Sequence, residues 1–159
     1  MSIGNIRQSA IPISVSRQRD VRTQFAALCF RRKAGETEVL LVTSRTTRRW
    51  IVPKGWPMPG VTPMETARRE AWEEAGVKGR MSPACLGIYS YTKLLETRDD
   101  DLPCVVAVFP LKVMAVATDF PERRERRRKW FSLKKAAAKV TEPELAQLIE
   151  SFAPDRYFG

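Results

Sequence analysis

Three glutamates and a glycine constrain this chain more than any other feature. Residues 53–77 read PKGWPMPGVTPMETARREAWEEAGV. A glycine turn at Gly55 leads through a proline-rich loop to Pro63, where a helix begins, and Gly76 ends that helix. Positions i, i+3 and i+4 share one face of a helix, so Glu70, Glu73 and Glu74 make one carboxylate cluster. Like charges that close repel strongly unless a cation lies between them. Carboxylate oxygens are hard ligands and suit Mg²⁺ or Mn²⁺. A solvated amphipathic helix with a glycine cap would carry a similar run of charge. Such a helix would not need Gly55 and Pro63 at their fixed offsets.

The 159 residues fit one domain with a full core. There is no histidine, which removes imidazole as base, nucleophile partner or metal ligand. Acid–base work falls to carboxylates, Lys, Tyr, Cys or a metal-activated water. A net charge of +10 points to polyanionic partners: nucleic acid, an anionic membrane surface or a heavily phosphorylated small molecule. Cys29, Cys85 and Cys104 stand among apolar neighbours without a C-x-x-C pair. With no signal-peptide pattern, they are expected to be buried, reduced thiols of a cytoplasmic protein. No apolar run is long enough to cross a membrane.

Taken in order, residues 1–22 read as a basic arm, with Ile11, Ile13 and Val15 able to form an edge strand. The single domain is expected over 23–153 and a peripheral tail over 154–159. Residues 23–30 and 38–43 read as a strand hairpin, with a turn supplied by Lys33-Ala34-Gly35-Glu36. Trp50-Ile51-Val52-Pro53 is a short strand entering the glycine turn. Residues 79–83 read as a connection, 84–95 as a strand or bent pair, and 96–101 as an acidic turn. The run 102–116 is β-rich and is expected to break at Pro110. A basic loop at 118–129 precedes two short helices, with Ser132 and Thr141 as caps. Strands around one helix, followed by a helix pair, predict an α/β sandwich with a mixed sheet between helices.

The spacing from Gly55 to Val77 resembles the signature of the Nudix hydrolases, G-x5-E-x7-R-E-U-x-E-E-x-G-U, where U is bulky and aliphatic. Gly55, Arg69-Glu70, Glu73-Glu74, Gly76 and Val77 match, with Ala71 as a small U. Val61 stands where that signature has its first glutamate. Residues 23–140 look like one branch, the diphosphoinositol polyphosphate phosphohydrolases. Shared features are the Ser44-Arg45 pair, Arg49-Trp50, and the basic run 126–129 before Trp130-Phe131. That branch carries three glycines after the proline, where this chain has Lys54-Gly55-Trp56.

The resemblance implies a Nudix-type α/β/α sandwich and metal-dependent hydrolysis of a phosphoanhydride. It implies Gly55, Glu70, Glu73 and Glu74 as the metal site. Glu70 or Glu74 is the expected base, with Glu122 and Glu125 as alternates. Arg69 is expected to orient the glutamates. Phosphates remote from the scissile bond fall to Arg45, Arg49, Lys54, Arg126 and Arg128, while Trp56 is expected either to stack on a base or to cap the loop. Diphosphoinositol polyphosphate leads the substrate classes, followed by diadenosine polyphosphate and then ADP-ribose-like nucleotides. RNA bearing a 5′-triphosphate fits the charge, yet no aromatic-studded basic face is visible. A polyanion-binding module without turnover is the non-enzymatic alternative. The chain is compatible with a monomer or a homodimer.

Overall fold

A computed structural model describes residues 21–93 and 102–159. The edge strand read at 11–15 and the acidic turn at 96–101 lie outside those residues. One long hairpin builds the sheet. β1 (Arg22–Lys33) and β2 (Glu36–Thr43) pair antiparallel from Cys29↔Leu40 to Lys33↔Glu36. Ala34 (φ 52°) and Gly35 (φ 80°) turn the chain, a two-residue loop with positive φ at both positions. Beyond Cys29 the two strands part. Into that fork run β3 (Trp50–Ile51), paired with β2, and β4 (Lys54–Gly55), paired with β1. The fork therefore fixes Gly55 opposite Phe25.

Pro63–Glu70 forms α1, capped by Thr62, whose hydroxyl accepts from the Glu65 amide at 3.2 Å. The helix does not stay regular to Gly76. Ala71–Ala75 is a π turn, ended by Gly76 in the left-handed conformation (φ 67°). Four residues overshoot an α turn of 3.6. They undershoot the wider turn closed by i→i+5 bonds. The drift between Ala67 and Ala71 is thus undone between Ala71 and Ala75, and all three are fully buried.

The remaining strands are β5 (Val77–Met81), β6 (Gly87–Lys93), β7 (Leu102–Val116) and β8 (Arg128–Ser132). β5 corrects the connection read at 79–83: it pairs with β7, and a register shift at Lys78/Gly79 masks its pattern. β7 is continuous through Pro110, correcting the expected break. It runs parallel to β1, with Leu28 opposite Pro110. On its other flank β6 ends at Gly87↔Val108 and β5 begins at Met81↔Leu111. The Val108 and Pro110 carbonyls accept there from the Leu86 and Ser82 amides. Pro110 sits where the flanking partner changes, so its missing donor breaks no ladder pair.

The mixed sheet has α1 and its π turn on one face and two further helices on the other, α2 (Leu133–Lys139) and α3 (Pro143–Glu150). Ser132 caps α2 as read, accepting from the Lys135 amide. Thr141 does not cap α3; Glu142 holds that position, and the Thr141 hydroxyl donates to its carboxylate at 2.8 Å. The tail is less peripheral than read: Phe158 packs on Phe30 at 5.3 Å and Tyr157 on Phe152. Among the cysteines, Cys29 and Cys104 are buried and Cys85 is half-buried, all free thiols.

Candidate active site

The helix sits close to the fork because it meets the sheet through small residues. A Cβ added at Gly55 would lie 2.3 Å from the Glu70 carboxyl carbon. Glycine is required there by close approach. Glu74, only 3% exposed, receives the Lys54 amide on Oε2 at 3.0 Å and the Arg126 guanidinium on Oε1 at 3.0 Å. Arg126 also holds Glu122 at 3.1 Å and donates to the Thr43 carbonyl. Glu70, Glu74 and Glu122 are thus gathered around the Gly55 turn. Glu73 is exposed, and its backbone carbonyl accepts from the Glu122 amide at 2.9 Å. Glu125 lies farther out, 3.7 Å from Arg45, which also reaches Glu122 at 3.8 Å.

The two helix carboxylates are held differently. Burial, then repulsion from Glu74, Glu73 and Glu122, raises Glu70 to about 8. Burial raises Glu74 only to about 7, because Arg126, Lys54 and the Lys54 amide oppose it. Among the described residues Glu70 has no hydrogen bond or ion pair, which accounts for the larger displacement. A carboxylate raised by its neighbours is relieved by a cation. The donor set of Glu70, Glu74 and the Gly55 carbonyl is oxygen-only and suits a hard divalent ion. Among the described residues no three acidic side chains form a closed ligand group, so the fit rests on two carboxylates and the glycine backbone.

The other expected site residues divide. Arg69 is exposed and donates to the Met58 sulfur at 3.8 Å. The arginine that orients the glutamates is Arg126 instead, and it is 8% exposed. Its four-residue spacing from Glu122 was the available signal. Arg128 lies at the end of the helix, donating to the Ala75 and Ala117 carbonyls at 2.7 and 2.6 Å. Arg49 is tied to Thr141 and Glu142. The Lys54 ammonium lies over the Tyr91 ring at 5.1 Å, and burial lowers it to about 8. Trp56 is exposed beneath the Lys93 ammonium. Sequence reasoning missed Thr43, whose hydroxyl and carbonyl fix the backbone of Arg127 and the side chain of Arg126.

The model of the NUDIX domain matches residues 22–152. The chain belongs to the Nudix family. Nudix hydrolase 12 of Arabidopsis thaliana, a mitochondrial protein, is 35% identical over 72% of this chain and 58% of its own length. Diphosphoinositol polyphosphate phosphohydrolase 3-alpha of Mus musculus is 39% identical over 70% of this chain and 64% of its own. The chain therefore spans less than two-thirds of these curated relatives. Among solved structures, a NUDIX hydrolase from Nitrosomonas europaea superposes with a TM-score of 0.64 at 23% identity, over 82% of this chain and 87% of that one. The Ap4A hydrolase of C. elegans gives 0.58 at 22%, over 82% and 95%. These likenesses establish the Nudix sandwich, with a mixed sheet between helices. Within it, Glu70 of the Nudix signature faces the glycine of the same signature, and Glu74 accepts from the amide before that glycine. No helix among the described residues is long and apolar enough to cross a membrane.

Proposed function

We propose that this chain is a metal-dependent pyrophosphohydrolase acting on a compact, highly phosphorylated small molecule, with a diphosphoinositol polyphosphate as the leading substrate. The observation that carries this reading is the pair Glu70 and Glu74, crowded at Gly55 and raised in pKa by burial, beneath cationic side chains. The names of the relatives that share its sequence support the substrate class. Mg²⁺ or Mn²⁺ held by Glu70, Glu74 and the Gly55 carbonyl would supply charge neutralisation at the phosphoanhydride.

The chain's own groups account for the rest. Arg126 holds Glu74 and Glu122 in place with charge-assisted bonds. Glu70, whose side chain has no such bonds, accepts the proton of the attacking water. Arg45 and Lys54 meet phosphates away from the scissile bond. An anion beside Lys54 would relieve an ammonium that burial has weakened. Arg45, 61% exposed on its glutamates, is free to swing to substrate.

The test is phosphate release with Mg²⁺ from a diphosphoinositol pentakisphosphate, diadenosine polyphosphates, ADP-ribose and 5′-triphosphorylated RNA, with and without EDTA. Glu74→Gln keeps the shape and should lower turnover at least a hundredfold, about 2.7 kcal/mol of transition-state stabilisation. Cleavage of a nucleotide alone would keep the site and discard the inositol substrate. Tight polyanion binding without cleavage would favour the binding module.

A further inference from the structure

Behind the catalytic helix lies a basic cavity that the hydrolytic reading does not use. Two adjoining hollows, about 350 and 570 Å³, share Phe120, Arg123 and Arg124. The smaller adds Thr118, Arg126 and Arg128; the larger adds Trp72 from the π turn. Two of its lining side chains pack closely on Gly76, where an added Cβ would lie 2.4 Å from Phe120 and 2.9 Å from Arg128.

The cations around this hollow are unequally compensated. Arg123 pairs with Asp119 at 3.3 Å, and Arg126 is engaged with Glu74 and Glu122. Glu125, the other acid lining the larger hollow, pairs with Arg45. Arg128 meets two carbonyls and the face of Phe120, at 4.6 Å, but no carboxylate among the described residues. Arg124 has neither a hydrogen bond nor an ion pair there, and it is exposed at the rim. A guanidinium anchored by carbonyls and an aromatic face keeps its full charge without a counter-ion. Burial lowers the pKa of Arg128, which agrees with that placement.

We propose that this cavity is a second phosphate-binding site, which takes the phosphate of a small phosphate monoester on Arg124 and Arg128 and its apolar portion against Trp72. Guanidinium forks match phosphate oxygens. The open hollow, lined by one guanidinium anchored on carbonyls and one exposed guanidinium, suits a single phosphate group. The site would sense phosphorylated metabolites apart from the metal cradle, linked to it through Arg126 and through the end of the glutamate helix that Arg128 holds.

The experiment is calorimetric and fluorescence titration of the full chain in EDTA with inorganic phosphate, AMP and adenosine. It needs no metal and no turnover, so it stands or falls separately from the hydrolase reading. AMP is expected to bind more tightly than phosphate, and adenosine not at all. Arg124→Ala should weaken AMP roughly tenfold, the worth of one charge-assisted hydrogen bond. Trp72→Phe should remove the fluorescence response while inorganic phosphate still binds calorimetrically. Binding of AMP to Arg124→Ala at wild-type strength, binding of adenosine equal to AMP, or no binding of either phosphate would overturn the proposal. So would an unphosphorylated RNA oligonucleotide that competes as well as AMP.

Discussion

The two faces of the sheet are packed to different ends. The face beneath α2 and α3 is filled with large groups: Leu28, Leu41, Tyr89, Phe131, Leu145, Ile149 and Phe152. Aromatic edges meet there, Phe30 on Phe152 at 5.0 Å and Trp50 on Phe131 at 5.1 Å. The face beneath α1 has Phe25, Leu40, Phe109 and Leu111 on the sheet, yet the helix answers with Ala67, Ala71 and Ala75. Alanine brings the helix axis nearer the sheet than leucine would. The first face stabilises by burying area, at about 25 cal/mol per Å². The second gives up area for proximity, so that carboxylates reach a glycine backbone. Stability and chemistry are therefore drawn from opposite sides of one sheet.

The sharpest way to break that division is Gly55→Ala. A methyl at the position now met by the Glu70 carboxylate must displace it. Turnover should fall by two orders of magnitude or more, about 2.7 kcal/mol, while the unfolding midpoint in urea moves little. The mirror experiment is Leu145→Ala. Leu145 is fully buried on the other face. Stability should drop by about 3 kcal/mol, read as a shift of the urea midpoint, with kcat per folded molecule unchanged. Lost turnover in the folded fraction would show that the faces are not independent.

A smaller effect sharpens the comparison through pH. Glu70 at about 8 and Glu74 at about 7 both lie above 4.5, the ordinary value. The folded chain thus keeps protons that the unfolded chain has released. Their contribution to stability is full below about 4.5 and is lost as pH rises to about 8. Lys54, lowered from 10.5 to about 8, acts only above that window and with the opposite sign. The melting temperature of metal-free protein should therefore fall between about pH 5 and pH 8, and Mg²⁺ should raise it more at pH 8. A flat profile would mean that the cluster is better solvated than its burial suggests. The smallest effect belongs to Arg69→Ala. Among the described residues its guanidinium has the Met58 sulfur as its one polar partner, so kcat/KM should change less than threefold, about 0.65 kcal/mol.

Much of the active-site face was legible in the sequence. Gly55, the Pro63 helix start, the i, i+3, i+4 carboxylates and the Ala34-Gly35 turn all follow local rules of spacing and φ. What was not legible depends on partners far along the chain. Arg126, Arg127 and Arg128 look alike in sequence. Only the path of the loop into β8 sends one to Glu74, one to solvent and one to the helix end. β5 was hidden because it is short and its central inward position is Gly79, at a register shift, so only Val77 and Met81 supply apolar side chains between the outward Lys78 and Arg80. Pro110 looked like a break because its flanking partner changes from β6 to β5 at that residue, which no local pattern records.

The parallel pairing of β1 with β7 has a consequence for the order in which this molecule is made. Arg22 opposes Cys104 and Phe30 opposes Lys112, so the central seam joins the first described strand to the seventh. The entropy of closing so long a loop must be met before its contacts are gained, and such topologies fold slowly. On a ribosome the β1–β2 hairpin and the glutamate helix emerge early, with one edge of β1 open until residue 112 has followed. Arrival of β7, rather than helix formation, sets the moment at which the sheet beneath Glu70 and Glu74 is complete.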